Sequence, residues 1–427
     1  MIYQVHHIKS VTIISLFVSA LFLFSYISMA QDKVKTETFT LTECINIALE
    51  SNLQLAAARK RLEVANTDRI KASLLLPTNP KLESEIGTRE TSSERSTDYT
   101  IALSQEFEVF GQRHKRIRIA EKSIERVRFE VADVERNVIA NVKSSFYEVL
   151  TSLEIVKLQS YVEDIFEKSL SATMERYKAG AISALELNSI KIKYGLAKQQ
   201  LLAAKKDYQN RLLNLKLLLS KPRDEELNID GKLYYEKLQI NMEDILASAY
   251  ETRPDLKAME FEKERASLEI LLRKAEKIPN PDLSGFFTRE EDGANDIVGG
   301  GVSISIPIWD RKQSELKKAK IAKDVANINI KNRYLEIQKE VEAAYRSFMT
   351  AKEGIAIYTD EIMPHVDESL KLNKISYKEG KIGFIEFLTV QSDLIETQAT
   401  YLNALLDYNN AIINLETVTG AKLSASD

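Results

Sequence analysis

Apolar residues recur every seven positions along residues 112–177, which predicts a long amphipathic helix. The spacing holds, with one four-residue step, at Ile117, Ile124, Val131, Val138, Val142, Val149 and Val156. Such a heptad pattern is typical of a coiled-coil seam with one stutter. At 1.5 Å per residue the helix would be about 100 Å long. A second periodic stretch at residues 184–219 predicts a helix that returns antiparallel after a tight turn at 179–183.

The chain contains one internal duplication with an offset of about 200 residues. Pro80 of Pro77-Thr78-Asn79-Pro80 aligns with Pro281 at an offset of 201. Val109 aligns with Ile308 at an offset of 199, and Gly180 aligns with Gly380 at an offset of 200. These matches occur in the same order in both halves, which indicates an old duplication.

Each half is predicted to contain a helix, two strands, a long helix, a tight turn and a final helix. The opening helices cover residues 42–76, ending before Pro77, and 242–277, where Arg253-Pro254 breaks the helix near its start. The second hairpin covers residues 311–377, kinked at Pro364, and 384–419. The predicted divisions are a first repeat at 31–220, a linker at 221–241 and a second repeat at 242–427.

The strand candidates lie at residues 82–90, 99–109, 283–289 and 301–308. The second and fourth alternate apolar and polar residues with a period of two over the length of a membrane-spanning strand. Four strands cannot close a membrane barrel, which needs about eight. Two interpretations remain open on alternation alone: several chains sharing one barrel, or a small soluble sheet capped by coiled-coil hairpins.

The N-terminus has the pattern of an export signal. Residues 11–30 carry no charge, and Ser28-Met29-Ala30 places small residues where signal peptidase cleaves. We therefore expect residues 1–30 to be a cleaved signal peptide, with an uncleaved membrane anchor as the alternative. No cysteine follows the cleavage point, so a lipid anchor there is not expected.

Composition and charge exclude several classes of function. The net charge is −4, with 59 basic and 63 acidic residues, which argues against a nucleic-acid-binding protein. The single cysteine, Cys44, lies in an apolar-periodic stretch and is expected to be a small buried residue. No motif predicts a catalytic site, a metal site or a bound cofactor.

Several motifs together resemble the TolC-type outer-membrane efflux proteins over nearly the whole exported chain. They are Leu41-Thr42-Glu43-Cys44-Ile45-Asn46-Ile47-Ala48-Leu49-Glu50-Ser51-Asn52, Pro77-Thr78-Asn79-Pro80, Ser305-Ile306-Pro307-Ile308-Trp309 and the paired Tyr-Lys-x-Gly turns. The stretch from Glu106 to Arg113 is similar to the branch that serves cobalt-zinc-cadmium exporters. Members of that branch often carry an N-terminal lipid-modified cysteine, and this sequence differs from them in lacking one at the expected cleavage point.

The resemblance implies a mainly α fold with a small β part. It further implies a homotrimer in the outer membrane of a Gram-negative cell, in contact with its lipid. Three chains would form a twelve-stranded β-barrel continuous with a periplasmic α-helical coiled-coil tunnel. The partners it implies are a periplasmic adapter protein and an inner-membrane RND-type pump.

The resemblance also implies that the hairpin tips contact the adapter and close the tunnel. In this chain the tips are Gly180, Ala181, Ile182 and Ser183, and Gly380, Lys381, Ile382 and Gly383. The family's tips commonly read Val-Gly-Leu, from which both differ. Glu186 and Glu386 each lie six residues after a tip glycine. Rings of these carboxylates would favour cations at a pore aperture, or each acid would only stabilise its helix dipole.

The predicted function is a passive exit duct of a tripartite efflux system, and the similarity to the cobalt-zinc-cadmium branch implies heavy-metal cations as its cargo. The first alternative is a duct of the same build for type I protein secretion. The second is a periplasmic coiled-coil scaffold without a pore. No constellation of residues supports an enzyme.

Overall fold

A computed structural model describes residues 38–90, 95–290 and 295–423. The predicted signal peptide at residues 1–30 lies outside the described residues. In the first half the elements are β1 (Thr38–Phe39), α1 (Leu41–Ser51), α2 (Leu53–Ser73), β2 (Lys81–Glu90), β3 (Arg95–Glu106), α3 (Gln112–Lys178) and α4 (Ala184–Leu218). They continue with β4 (Asn228–Ile229), α5 (Met242–Thr252), α6 (Pro254–Ala275), β5 (Pro281–Glu290), β6 (Asp296–Ile304), α7 (Gln313–Ile357), a π-helical turn (Tyr358–Ile362), α8 (Met363–Lys378) and α9 (Phe384–Thr419).

The prediction of one helix over residues 42–76 is wrong, because the chain breaks at Asn52 and α2 ends at Ser73. Asn52 is extended, and its side-chain oxygen accepts hydrogen bonds from the backbone N–H groups of Gln54 and Leu55. It therefore caps a new helix rather than continuing the first one. The predicted break at Arg253-Pro254 is confirmed, with Pro254 opening α6.

In both halves, a side-chain hydrogen bond links the break between the two opening helices to the C-terminal end of a distant helix. The Asn52 amide nitrogen donates to the carbonyl of Leu218 at 2.9 Å. In the second half, the guanidinium of Arg253 donates to the carbonyl of Val418 at 3.1 Å. Carbonyls at a helix C-terminus lack partners within their own helix, so each break satisfies one of them.

The four long strands form one antiparallel sheet in the order β2-β3-β5-β6. The predicted bounds of two strands are wrong, because both strands begin and end earlier in the chain. The strand predicted at residues 99–109 is Arg95–Glu106, and the one predicted at residues 301–308 is Asp296–Ile304. Pairing with the preceding strand explains the earlier starts, since Arg95 lies opposite Glu90 and Asp296 lies opposite Arg289. A separate short parallel pair, β1 with β4, joins the N-terminal segment to residues 228–229.

Helices α3 and α4 form the predicted antiparallel hairpin, and α3 is unbroken over 67 residues. In the second hairpin the outgoing helix is interrupted by the π-helical turn at Tyr358–Ile362, directly before Pro364, where the sequence predicted a kink. Buried positions explain this difference. Val138 and Val142 match Ile337 and Val341 at an offset of 199, whereas the later buried pair of Thr173 and Asn373 is offset by 200. The turn thus accommodates one inserted residue.

Four apolar clusters hold the described helices together, and the smallest of them joins α2 to α3 through Ala65, Ile124 and Val127. One surrounds Phe146 and joins α1, α3 and α4, and a second surrounds Phe348 and joins α5, α7 and α9. The third lies nearer the hairpin turns and joins α3, α4 and α9 through Phe166, Ile190 and Leu388. The two hairpins therefore lie side by side, with their turns at the same end of the molecule.

Residues 221–241, predicted as a linker, wrap around the middle of these helices. The backbone carbonyls of Tyr234 and Leu238 accept hydrogen bonds from Asn409 of α9 and from Lys352 of α7. The carbonyl of Glu236 accepts a hydrogen bond from the Tyr408 hydroxyl. This segment ties both helices of the second hairpin together at one level.

Candidate channel wall and hairpin tips

The first hairpin tip is a short helix-to-helix turn built around a left-handed glycine. Gly180 has φ +72°, and its N–H donates to the carbonyl of Tyr177. The N–H of Ala181 donates to the carbonyl of Arg176, which completes a Schellman motif. Ser183 then caps α4, accepting a hydrogen bond from the N–H of Glu186. A left-handed glycine is what the tight turn predicted from the sequence at residues 179–183 requires.

The second tip repeats the geometry with different side chains. Gly380 has φ +69°, and the N–H groups of Gly380 and Lys381 donate to the carbonyls of Tyr377 and Ser376. The Lys381 ammonium lies 2.6 Å from the Glu379 carboxylate. Gly383 stands where Ser183 caps the first hairpin and provides no side-chain cap. Both tips are largely exposed, with Ile182 and Ile382 half-buried.

Glu186 and Glu386 both occupy the first turn of the returning helix and are exposed. This position is compatible with the helix-dipole role, since a carboxylate near a helix N-terminus is stabilising. The structure brings both acids to the same end of the molecule, because the cluster around Ile190 and Leu388 joins the two hairpins just above the tips. Their role at an aperture stays a prediction.

An aromatic cluster at the second tip was not predicted as a unit. The ring of Tyr377 stacks on Phe387 with 4.7 Å between centroids and lies 5.6 Å from Phe384. Tyr377 therefore packs across the turn, whereas the equivalent Tyr177 is 43% exposed. The spacing of Phe384 and Phe387, one helical turn apart, was the signal that could have revealed the cluster.

One face of the sheet is apolar and exposed in the single chain. Directly opposed residues on this face include Leu82 with Leu103, and Ile101 with Phe287. Large exposed side chains on this face are Leu82, Ile86, Tyr99, Ile101, Leu103, Leu283, Phe287, Val298, Val302 and Ile304. An apolar surface of this extent marks a site of contact with lipid or with another protein.

The opposite face of the sheet is mostly polar, although Phe286 and Ile297 also lie on it. Arg89 pairs with Asp98 and with Glu290 at 3.2 Å each, and the hydroxyls of Thr100 and Thr288 lie 2.9 Å apart. The apolar face thus resembles the lipid-facing outside of a membrane barrel, and the more polar face resembles its lumen. Beyond β6, Trp309 is 86% exposed, a position suited to a membrane interface.

A buried polar network joins the sheet to the helices, and sequence reasoning missed it. The Gln112 side chain is 1% exposed, and its oxygen accepts a hydrogen bond from the Phe110 N–H. Its amide nitrogen donates to Asn280 at 2.8 Å, and Asn280 donates to Glu106 at 2.8 Å. The network fixes where strand β3 gives way to helix α3, beside the loop that precedes β5.

The described residues contain no group of three or more histidine, cysteine or acidic side chains arranged to hold a metal ion. Cys44 is fully buried as predicted, and burial raises the pKa of its thiol to about 11, so the thiol stays protonated. Within the described part of the chain, every helix is too short or too polar to span a lipid bilayer.

Comparison with known proteins places this architecture in a family. The model of the family "Outer membrane efflux protein" matches residues 44–221 and 245–421. The chain is 23% identical over 381 residues to the cobalt-zinc-cadmium resistance protein CzcC of Cupriavidus metallidurans, covering 89% of this chain and 90% of CzcC.

Solved channel structures have the same fold. The MtrE outer membrane channel of Neisseria gonorrhoeae in its open state has a TM-score of 0.72 at 19% identity, covering 90% of this chain and 89% of MtrE. The CmeC outer membrane channel of Campylobacter jejuni has a TM-score of 0.72 at 16% identity, covering 91% and 87%. Because both halves of the chain match the family model and these channels have its fold, this protein belongs to the outer membrane efflux protein family.

Proposed function

We propose that the protein is the exit duct of a tripartite efflux system. In this proposal it conducts substrates passively through the outer membrane, and a periplasmic adapter and an inner-membrane RND-type pump supply them. The observation that carries the proposal is the four-stranded sheet with one exposed apolar face, continuous with two long helical hairpins. The family membership of both repeats supports the same interpretation.

The duct requires more than one copy of the chain. Four strands are too few for a membrane barrel, and in the described residues β2 and β6 are the edges of the sheet. Three copies would supply twelve strands, with the polar face lining the lumen and the apolar face in lipid. A signal peptide at residues 1–30, cleaved after Ala30, would direct export of the chain towards this membrane.

The hairpin tips are the proposed adapter contact and aperture. Their exposure and their position at one end, away from the sheet, support this role. Tip residues 180–183 and 380–383 would meet the adapter, and Glu186 and Glu386 would line the narrow end. Opening would follow adapter binding, while the energy for transport comes from the pump.

Divalent heavy-metal cations are the proposed cargo class. CzcC, a relative over most of both chains, is named for cobalt-zinc-cadmium resistance. In such a duct the metal would be cargo rather than a resident cofactor.

The test of the duct is ion current across planar lipid bilayers containing the purified protein. We expect stepwise conductance in the wild type. We expect Glu386→Gln to lower cation selectivity, because the substitution removes charge without changing side-chain shape. Asp367→Asn is the matched control, since this exposed acid lies on the same hairpin about 20 Å from the tip. Protein that stays monomeric and gives no current would refute the duct.

The cargo is tested by measuring the growth of a deletion strain in the presence of metals, dyes and antibiotics. Sensitivity confined to zinc, cobalt or cadmium would support metal efflux. Loss of a secreted protein without metal sensitivity would instead support type I secretion.

A further inference from the structure

Basic residues are concentrated at the starts of the two helices that follow the sheet. Residues 112–122 of α3 and 311–323 around the start of α7 together carry eleven lysines and arginines and two acids. The residues that come next, 123–135 and 324–336, carry four basic and six acidic side chains. Because the whole chain has a net charge of −4, the positive excess is confined to the helix ends nearest the sheet.

This charge opposes the stability of the helices that carry it. A helix N-terminus has a partial positive charge, so a lysine or arginine in its first turns is unfavourable. The first turn of α3 contains no acid, and neither α3 nor α7 has a side-chain cap at its N-terminus. Helix stability therefore does not account for these basic residues.

Some of these cations are paired inside the chain. The Arg116 guanidinium pairs with Glu108, and the Lys122 ammonium lies 2.6 Å from Glu264. Other basic side chains at the helix starts are exposed and have no ion-pair partner among the described residues: Arg118, Lys317, Lys318 and Lys320. A cation in this state is free to bind an anion from outside the chain.

Arg118 lies on the outward side of α3. The network of Gln112, Asn280 and Glu106 marks the polar side, since Glu106 is on the polar face of β3. Glu121 follows Gln112 by nine residues, about two and a half turns, so it lies on the opposite side of the helix. Arg118 is about one turn from Glu121 on that side. With the polar face towards the lumen, Arg118 faces outward.

The second repeat carries cations at the same positions. At the offset of 199 that relates α3 to α7, Arg118 corresponds to Lys317, and Glu121 corresponds to Lys320. Lys317 and Lys320 are both exposed. Both repeats therefore present unpaired positive charge on the outward side, next to the same end of the sheet.

The exposed apolar surface of the sheet ends beside these cations. Phe110 and Trp309, which follow β3 and β6, are 40% and 86% exposed. Helix α3 begins two residues after Phe110, and Arg311 follows Trp309 by two residues. Apolar side chains, then aromatic rings, then cations is the order that suits a protein surface passing from lipid tails through the headgroups into water.

We propose that Arg118, Lys317 and Lys320 form a basic collar that binds the phosphates of anionic phospholipids at the periplasmic surface of the membrane. The inference rests on the proposed function, which places the apolar face of the sheet in lipid. It adds a class of ligand and the residues that bind it. A phosphate beside the starts of α3 and α7 would also offset the unfavourable charge at these helix N-termini.

Trp309 provides the probe for this contact, because it is the one tryptophan of the sequence and lies four residues before α7. The full-length protein is reconstituted in phosphatidylcholine vesicles that contain equal fractions of either phosphatidylglycerol or phosphatidylcholine with brominated acyl chains, which quench tryptophan fluorescence on contact. We expect an association constant about fivefold higher for phosphatidylglycerol. This preference should fall as salt is added, since ions screen the charges.

Lys320→Gln should reduce the preference, and Lys317→Gln/Lys320→Gln should nearly abolish it. The matched control is Lys331→Gln, which should keep the preference. Lys331 is exposed on the same side of α7, eleven residues or about 16 Å further from the sheet than Lys320. That distance exceeds the Debye length of about 8 Å at physiological salt.

A preference that the double variant loses and Lys331→Gln keeps supports the basic collar. A preference that survives in the double variant, or that Lys331→Gln removes equally, would overturn it. Equal quenching by both lipids would overturn the collar and leave the proposed duct intact, since Trp309 would still contact a bilayer. If the double variant then impairs efflux in cells, the cations bind an acidic protein surface instead. No quenching by either lipid would overturn both the collar and the placement of the sheet in lipid.

Discussion

The ion cluster at the second helix break offers a quantitative test of how tertiary contacts stabilise this fold. Arg253 is 2% exposed, although it carries a full charge. Its guanidinium contacts the carboxylates of Asp255 at 2.8 Å and Glu340 at 2.6 Å, as well as the carbonyl of Val418. Arg333 completes the cluster, 2.6 Å from Asp255.

We expect Arg253→Ala to lower the free energy of unfolding by about 3 kcal/mol, because it removes one cation from two carboxylates that are only partly buried and that keep Arg333 as a partner. Asn52→Ala is the matched control at the equivalent position of the first repeat. It removes a helix cap and one hydrogen bond to the carbonyl of Leu218, which together contribute about 2 kcal/mol. Charge burial in the second repeat should therefore make the arginine variant the less stable one.

The pH dependence follows from Asp255. Burial by itself would raise the pKa of this carboxyl group, but hydrogen bonds and charge pairing with Arg253 and Arg333 outweigh it and lower the pKa to about 2. A carboxyl whose pKa is lower in the folded state stabilises the fold above its unfolded pKa of about 3.9. This stabilisation, about 2 kcal/mol, is lost as the pH falls from about 4 to 2. Arg253→Ala should lose less over that window.

The assay is thermal unfolding of detergent-purified protein, followed by the helical circular dichroism signal at one fixed scan rate. Wild type, Arg253→Ala and Asn52→Ala are compared at neutral pH and between pH 4 and 2. If Arg253→Ala lowers the midpoint no more than Asn52→Ala, or keeps the full acid dependence of wild type, the assignment of stability to the ion cluster is wrong.

Three further predictions concern single positions and use the same unfolding assay. Gly380→Ala should lower the free energy of unfolding by about 1–2 kcal/mol from backbone strain alone, since φ is +69° and no atom lies within 4 Å of the added Cβ. Gly383→Ala, at φ −72°, should leave the free energy of unfolding nearly unchanged. Equal losses in the two variants would contradict this explanation. Gly354→Ala should stabilise helix α7 by about 1 kcal/mol, because the site is open and helical, and a loss of stability would count against the helix assignment. Phe348→Ala should cost about 3–5 kcal/mol, because this side chain is fully buried in the second apolar cluster, and a loss below that of Gly380→Ala would contradict its place there.

The sequence by itself determined the helical hairpins and their turns, because the signals for these features are local. A heptad pattern identified α3, and glycine after Tyr-Lys-x marked both tips, where φ is positive. Period-two alternation identified the apolar face of the sheet before any pairing was known. The offset of about 200 residues revealed the duplication, although it did not show that one residue is inserted at Tyr358–Ile362.

Only the tertiary structure decided the features whose partners lie far away in the chain. The break at Asn52 has no proline or glycine to mark it; Asn52 caps α2 locally, and its bond to the carbonyl of Leu218, 166 residues later, anchors the break in the fold. The cluster around Arg253 requires Glu340 on another helix, and the junction at Gln112 requires Asn280. The starts of β3 and β6 were set by the strands opposite them. A hydrogen bond or ion pair between distant residues stabilises a conformation that local preference does not select, and periodicity along the chain carries no record of it.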